Sequence, residues 1–240
     1  TGINVGTYFH LGRTIVDVVE ALSTIPGIAR IRISSIEPTT VPKALLDLMA
    51  DPSSPLVPHL HIPVQSGSNQ MLERMKRRYT REQFCDFVER ATGRVPNLCV
   101  GTDILVGAPG ETETDFTQTL DLLENSPIAY AHVFKYSDRK NTAASRMPDK
   151  VDPRTQTARS VAVRRLSARK RAAFLHRYLG RTLEVLFEEE EGGYWWGYTG
   201  NYIRVAARCN GKRGRDSLEN TLKPVQLQEV CGDFMVGTAI

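Results

Sequence analysis

Side chains able to bind a polar ligand are spaced along one short stretch, His59-Leu-His-Ile-Pro-Val-Gln-Ser-Gly-Ser-Asn-Gln-Met-Leu-Glu-Arg-Met-Lys-Arg-Arg78. Leu60, Ile62 and Val64 alternate with His59, His61 and Pro63, then Gln65-Ser-Gly-Ser68 breaks the run before Met71, Leu72 and Met75 recur at helical spacing. This is a strand, a polar turn and a helix. Polar groups therefore collect where a strand ends, and in sheets of parallel strands that C-terminal end is where ligands bind. An ordinary turn followed by a solvated basic helix fits the same residues. Two carboxylates add to the set. Asp103 interrupts the apolar run Cys99–Val106 and must find a partner or a ligand, because burying an unpaired charge is costly; a backbone amide at a barrel rim would also satisfy it. Glu37 closes the alternating segment Ile28–Ile36.

The elements that must position these residues follow one another in a regular order. Ile15, Val18, Val19, Leu22 and Ile25 mark a helix face ended by Pro26-Gly27, and Leu45, Leu46 and Met49 mark a shorter helix. Thr80 with Gln83 resembles a capping box ahead of Phe84, Phe87, Val88 and Ala91. Thr112 with Asp115 resembles another ahead of Phe116, Leu120 and Leu123, and Ala129–Tyr136 reads as a further strand. Strand and helix thus alternate from Ile28 to Tyr136, which predicts four parallel strands with crossover helices in an α/β unit. Such an alternation suits a barrel whose first one or two units lie upstream of Thr1.

The composition, 41% hydrophobic and 24% charged over 240 residues, is that of a globular protein with a real core. No apolar run has membrane-spanning length and no leader opens the chain, so a cytoplasmic protein with no membrane partner is expected. The chain starts with Thr rather than Met and reads as cut from something longer. Cys85, Cys99, Cys209 and Cys231 are too widely spaced for a zinc or iron–sulfur pattern. Lys and Arg exceed Asp and Glu by only 31 to 27, but the excess is concentrated late.

Asp152-Pro153 predicts the start of a helix reaching Tyr178-Leu-Gly180. Along it Arg154, Arg159, Arg164, Arg165, Arg169, Lys170, Arg171 and Arg177 face only Asp152 among acids, either a phosphate-attracting surface or a solvated face. Beyond Arg181, five short strands are predicted: Thr182–Glu188, Tyr194–Thr199, Tyr202–Arg208, Val225–Val230 and Phe234–Ile240. They predict a small antiparallel β-barrel of a kind that binds single-stranded nucleic acid. Its rings, Tyr194, Trp195, Trp196, Tyr198 and Tyr202, and its basic loop Lys212-Arg-Gly-Arg215 suit unstacked bases and phosphates. The expected organisation is residues 1–150 as an α/β unit, 151–178 as a basic linker helix and 179–240 as the barrel.

Taken together, Arg32-Ile-Ser-Ser-Ile-Glu-Pro38, His59-Leu-His-Ile-Pro-Val-Gln-Ser-Gly-Ser68, Met75-Lys-Arg77, Gly101-Thr-Asp-Ile-Leu-Val-Gly-Ala-Pro-Gly-Glu-Thr112 and His132-Val-Phe-Lys-Tyr-Ser137 resemble the radical S-adenosylmethionine methylthiotransferases. The Ser-Ser-Ile-Glu-Pro form and Glu189–Val205 most resemble the branch acting on threonylcarbamoyladenosine in tRNA. The resemblance implies a truncated radical-SAM partial TIM barrel followed by a TRAM-like RNA-binding barrel. It implies S-adenosylmethionine contacts at Glu37 (methionyl amine), Gln65 and Asp103 (nucleoside) and Arg77 (methionyl carboxylate), and RNA contacts at Lys212, Arg213 and Arg215. Two 4Fe–4S clusters are implied for the full-length protein. Their cysteine ligands are expected upstream of Thr1, leaving no cluster and no catalytic residue in this fragment, which alone would be inactive.

The implied partner is tRNA, the implied state a monomer, and the implied reaction methylthiolation of threonylcarbamoyladenosine at position 37. Isopentenyladenosine, a ribosomal-protein aspartate and a non-catalytic RNA-binding role are the alternatives. Where the family usually has Phe, Pro and Pro-Gly-Thr, this chain has Ala108, Lys135 and Lys140-Asn-Thr142, which bears on substrate choice more than on reaction class.

Overall fold

In a computed structural model, which describes residues 4–209 and 217–240 apart from the side chain of Cys209, the period-two stretches around Leu60, Ile104 and Val133 form a parallel sheet. The chain divides into two units, Thr1–Ser167 and Ala168–Ile240. The first unit opens with a hairpin of β1 (Phe9–His10) and β2 (Arg13–Thr14), turned by Leu11 and Gly12 at positive φ. Then come α1 (Ile15–Ser23), α2 (Lys43–Ala50), β3 (His59–His61), α3 (Asn69–Arg74), α4 (Arg81–Arg94), β4 (Cys99–Val106), α5 (Glu113–Asn125) and β5 (Tyr130–Lys135). Both expected capping boxes form: Thr80 with Gln83 opens α4, and Thr112 with Asp115 opens α5.

The sheet order is β3-β4-β5, with His61 opposite Gly101 and Asp103 opposite His132. One face is apolar: Leu60, Ile62, Val100, Ile104 and Val133 join Phe84, Phe87 and Val88 of α4 and Phe116, Leu122 and Leu123 of α5 in one buried cluster. Because side chains alternate along a strand, the other face carries His59, His61, Gly101, Asp103, Tyr130 and His132. Parallel sheets are ordinarily apolar on both faces, so this polar face marks a site.

The strand expected over Ile28–Ile36 is a correction. That segment makes only two isolated parallel bridges, Ile31 to Leu56 and Ser35 to His61. The segment beside it contains Pro55, Pro58 and Pro63, which have no amide hydrogen to give a ladder. Pairing survives where that segment has an N–H, as in Val57 N–H to Ile31 O (2.9 Å), or needs only to accept, as in Ile31 N–H to Pro55 O (2.8 Å) and Ile36 N–H to His61 O (3.2 Å).

Helix α6 (Pro153–His176) follows β5. The reading of its basic residues as one outward surface is also corrected: Arg159 is buried and bonds Glu111 at 2.7 Å and Glu113 at 3.0 Å. Burial pushes the Glu111 carboxyl above its usual range, against hydrogen bonds from the Gly107 N–H and from Arg159. Arg164 is exposed but donates to the Val133 carbonyl at 2.6 Å, and Arg154, Arg165, Arg169 and Arg177 are exposed as well.

In the second unit β6 (Thr182–Glu191), β7 (Tyr194–Thr199), β8 (Arg204–Cys209), β9 (Leu222–Cys231) and β10 (Phe234–Ala239) form a closed barrel, ordered β6-β7-β8-β10-β9 and back to β6. It is not wholly antiparallel as expected, since β8 and β10 run parallel. A closed ring with an odd number of strands cannot alternate direction all the way round. Val185, Phe187, Val205, Val225, Leu227 and Met235 fill its interior. No helix among the described residues is long and apolar enough to cross a membrane.

Candidate functional site

Gln65, the expected ligand residue at the end of the central strand, is held by the turn after it. That turn, Ser66-Gly-Ser68, is buried and tied to α5: the Gly67 N–H donates to Thr119 Oγ1 at 2.9 Å, and Ser68 Oγ donates to the Asp115 carboxylate. Only glycine fits at 67, because a Cβ there would lie 2.5 Å from the Gln118 carbonyl oxygen and 2.6 Å from Thr119 Cα. The chain enters this turn with Gln65 at φ 73°, in the left-handed region that a non-glycine residue rarely occupies. The sheet holds that conformation: the Gln65 N–H donates to the Asp103 carbonyl (2.8 Å) and the Leu105 N–H to the Gln65 carbonyl (2.9 Å). Gln65 and Asp103 are thus brought together through backbone.

Asp103 lies on the polar face of β4 between two histidines. Its Oδ1 is 3.0 Å from His61 Nε2 on β3 and 3.5 Å from His132 Nδ1 on β5. Burial raises the carboxyl's pKa, but hydrogen bonds with His132 and His61 outweigh it and hold the group well below the usual carboxylate range. Asp103 is therefore ionised. Tyr130 packs beside this trio, 5.3 Å from the His132 ring by centroid, and its hydroxyl meets buried His59 Nε2 at 3.1 Å. Gly101 makes room for that phenol, since a Cβ would lie 2.4 Å from Tyr130 Cζ.

Glu37 and Arg77 are brought together directly, Arg77 donating to Glu37 Oε1 at 3.0 Å. Each side chain is about a quarter exposed, so the pair is accessible. Asn4 fixes the Glu37 end, its Oδ1 accepting from the Glu37 N–H (3.2 Å) and from Thr40 Oγ1 (2.8 Å). Tyr79 closes the other side, donating to the Pro63 carbonyl at 2.8 Å; burial pushes its phenol up to about 12, with Glu37 adding to the rise and Arg77 opposing it.

Sequence reasoning quoted His61 and His132 within motifs but assigned them no role. The signal was present: both fall on the same alternating face as Asp103 once the strands pair in this register. Lys212, Arg213 and Arg215 lie outside the described residues. In the barrel, Tyr194, Trp196 and Tyr198 alternate to the outer face, whereas Trp195 turns the other way to meet Phe187. Arg204 lies over the Trp196 ring at 4.4 Å and Arg208 over Tyr194 at 5.0 Å. These are cation–π pairs on a partly exposed surface.

Residues 5–123 match the Radical SAM superfamily. Among curated proteins the chain is similar to the threonylcarbamoyladenosine tRNA methylthiotransferase MtaB of Bacillus subtilis (strain 168), 38% identical over 85% of this chain and 47% of that protein. It is also similar to the MtaB of Chlamydia pneumoniae, 33% identical over 100% of this chain and 56% of that protein. The tRNA-2-methylthio-N(6)-dimethylallyladenosine synthase of Acidothermus cellulolyticus is 37% identical over 80% of this chain and 39% of that protein. The chain thus spans about half the length of the curated relatives it matches. Superfamily match and relatives agree, and the chain belongs to the radical SAM methylthiotransferase family.

Proposed function

We propose that this chain is the S-adenosylmethionine-binding and RNA-binding part of an enzyme that adds a 2-methylthio group to threonylcarbamoyladenosine at position 37 of tRNA. The observation that carries this reading is the accessible Arg77–Glu37 pair beside Tyr79. An arginine fork and a carboxylate side by side match the α-carboxylate and α-ammonium of a methionyl group. Both Asp103 contacts with histidine are made by Oδ1, so Oδ2 is the oxygen that would accept from ribose hydroxyls. These residues fit S-adenosylmethionine, which when bound would supply the methyl group and, given one electron from a reduced iron–sulfur cluster held outside the described residues, the 5′-deoxyadenosyl radical. The chain's own part is to orient that ligand: Arg77 and Glu37 grip one end, Gln65 and Asp103 the other.

The cysteines whose side chains are described do not fit an iron–sulfur cluster. Cys85 lies in α4, Cys99 is buried in β4 and Cys231 lies in the barrel, and no group of three candidate ligands among the described residues contains a cysteine. The barrel we read as TRAM-like, with Trp196, Tyr194, Arg204 and Arg208 as the RNA-facing set and Lys212, Arg213 and Arg215 adding phosphate contacts. A protein of this kind would work in the cytoplasm, where tRNA is.

A second reading has its own support, because relatives named for dimethylallyladenosine match at similar identity. Mass spectrometry of tRNA nucleosides separates the two. Deleting the gene should remove 2-methylthio-threonylcarbamoyladenosine, and the full-length gene should restore it. Loss of the dimethylallyl product instead would select the sister substrate, and no change in either would overturn both readings.

A further inference from the structure

We propose that His61, Asp103 and His132 form a binding site for one divalent transition-metal ion on the polar face of the parallel sheet. Three adjacent strands each present one donor there: an imidazole from β3, a carboxylate from β4 and an imidazole from β5. One donor atom from each lies within 4.8 Å of the other two. The two separations to Asp103 Oδ1 are 3.0 Å and 3.5 Å, and the two imidazole rings are 5.2 Å apart by centroid, tilted by 30°.

The two separations to Asp103 Oδ1 suit an ion. With metal–ligand bonds of about 2.1 Å, neighbouring donors stand roughly 3.0 Å apart in an octahedral shell and about 3.4 Å apart in a tetrahedral one. Forming the site asks little of the backbone, because the donors stand on hydrogen-bonded strands in fixed register. Two imidazoles and one carboxylate are borderline ligands that favour zinc, cobalt, nickel or ferrous iron over calcium or magnesium. Burial is graded across the trio. The side chains of His61 and Asp103 are 13% and 20% exposed, and that of His132 is 57% exposed. Three protein donors with one open side leave a position for water or a ligand. This inference rests on the side-chain geometry and not on the proposed reaction. The ion uses Asp103 Oδ1, which leaves Oδ2 for the nucleoside contact of the proposed function.

The test uses the 240-residue chain with any affinity tag removed, stripped with a chelator and exchanged into chelator-free buffer. Cobalt is titrated in with visible absorption as the readout, and zinc by calorimetry. One equivalent should bind, with cobalt bands of a nitrogen–oxygen site. His132→Ala, at the most exposed donor and so the variant least able to disturb folding, should weaken binding by at least about tenfold. Asp103→Asn and His61→Ala should do the same while keeping the wild-type circular dichroism. Zinc should raise the melting temperature of the wild type and leave that of His132→Ala unchanged. Binding that survives His132→Ala, or no saturable binding by the wild type, overturns the site.

Discussion

The inner face of β3–β5 and the outer face of the barrel both gather polar and aromatic side chains, yet they hold them by different forces. In the first unit charge meets charge or a hydrogen-bonding partner: on the sheet Asp103 sits between two histidines and His59 takes Tyr130, outside the strands Glu37 takes Arg77, and on α6 the buried Arg159 takes Glu111. On the barrel, Arg204 lies over a ring face, and Arg208 lies over the Tyr194 ring while donating to that residue's hydroxyl, so neither meets a carboxylate there among the described residues. A guanidinium in a buried ion pair is committed, because leaving it strands an uncompensated charge. One lying on a partly exposed ring keeps its charge available and can add a base or a phosphate without losing its support. The first arrangement suits a site of fixed geometry, the second a surface that adapts to a flexible polymer.

Arginines from the two arrangements give the largest contrast. Arg159→Ala should cost about 3–5 kcal/mol, because its side chain and that of Glu111 are 7% and 1% exposed and the buried carboxylate would lose its charged partner, keeping only the Gly107 N–H. Arg204→Ala should stay within about 0.5 kcal/mol. Urea denaturation of both variants reads the difference, and equal losses would break the distinction between committed and available cations.

Next come two substitutions expected to act on one face each. Gly101→Ala forces the Tyr130 ring to move and should destabilise by about 1–3 kcal/mol in thermal melts. Trp196→Ala should weaken binding of a single-stranded oligoribonucleotide by about 1–3 kcal/mol, roughly five- to 150-fold, in fluorescence anisotropy. Undiminished affinity would remove the ring from the proposed RNA surface.

The smallest effect sharpens the picture of the sheet's ligand end. Tyr79→Phe loses one hydrogen bond to the Pro63 carbonyl, a cost of about 0.5–1.5 kcal/mol. Its phenol pKa is raised by folding from 10.0 to about 12. The stability it contributes is therefore whole below pH 10 and is lost as pH rises toward 12. Tyr79→Phe should lack that alkaline loss when stability is followed across the interval. An identical pH profile in both proteins would place the phenol in solvent.

Much of this architecture was legible in local patterns. Thr80 with Gln83 and Thr112 with Asp115 announced two helix starts, and the apolar run Cys99–Val106 and the short run Tyr194–Thr199 announced strands. Local pattern misled where the neighbour mattered. Ile28–Ile36 alternates like a strand, but prolines on the segment beside it withhold the ladder. Arg159 sits in a run of basic residues that reads as one surface, but Glu111 arrives from another element 48 residues away.

The sequence by itself determined which residues are apolar, where two helices begin, and, through its motifs, the family. Those are properties of short windows, set by side-chain volume and backbone sterics. Only the tertiary structure decided that His61, Asp103 and His132 share one face, because that depends on the register of three strands separated by whole helices. It alone decided that one pair in the barrel must run parallel, because closing a ring of five strands is a condition on the ring and not on any strand within it.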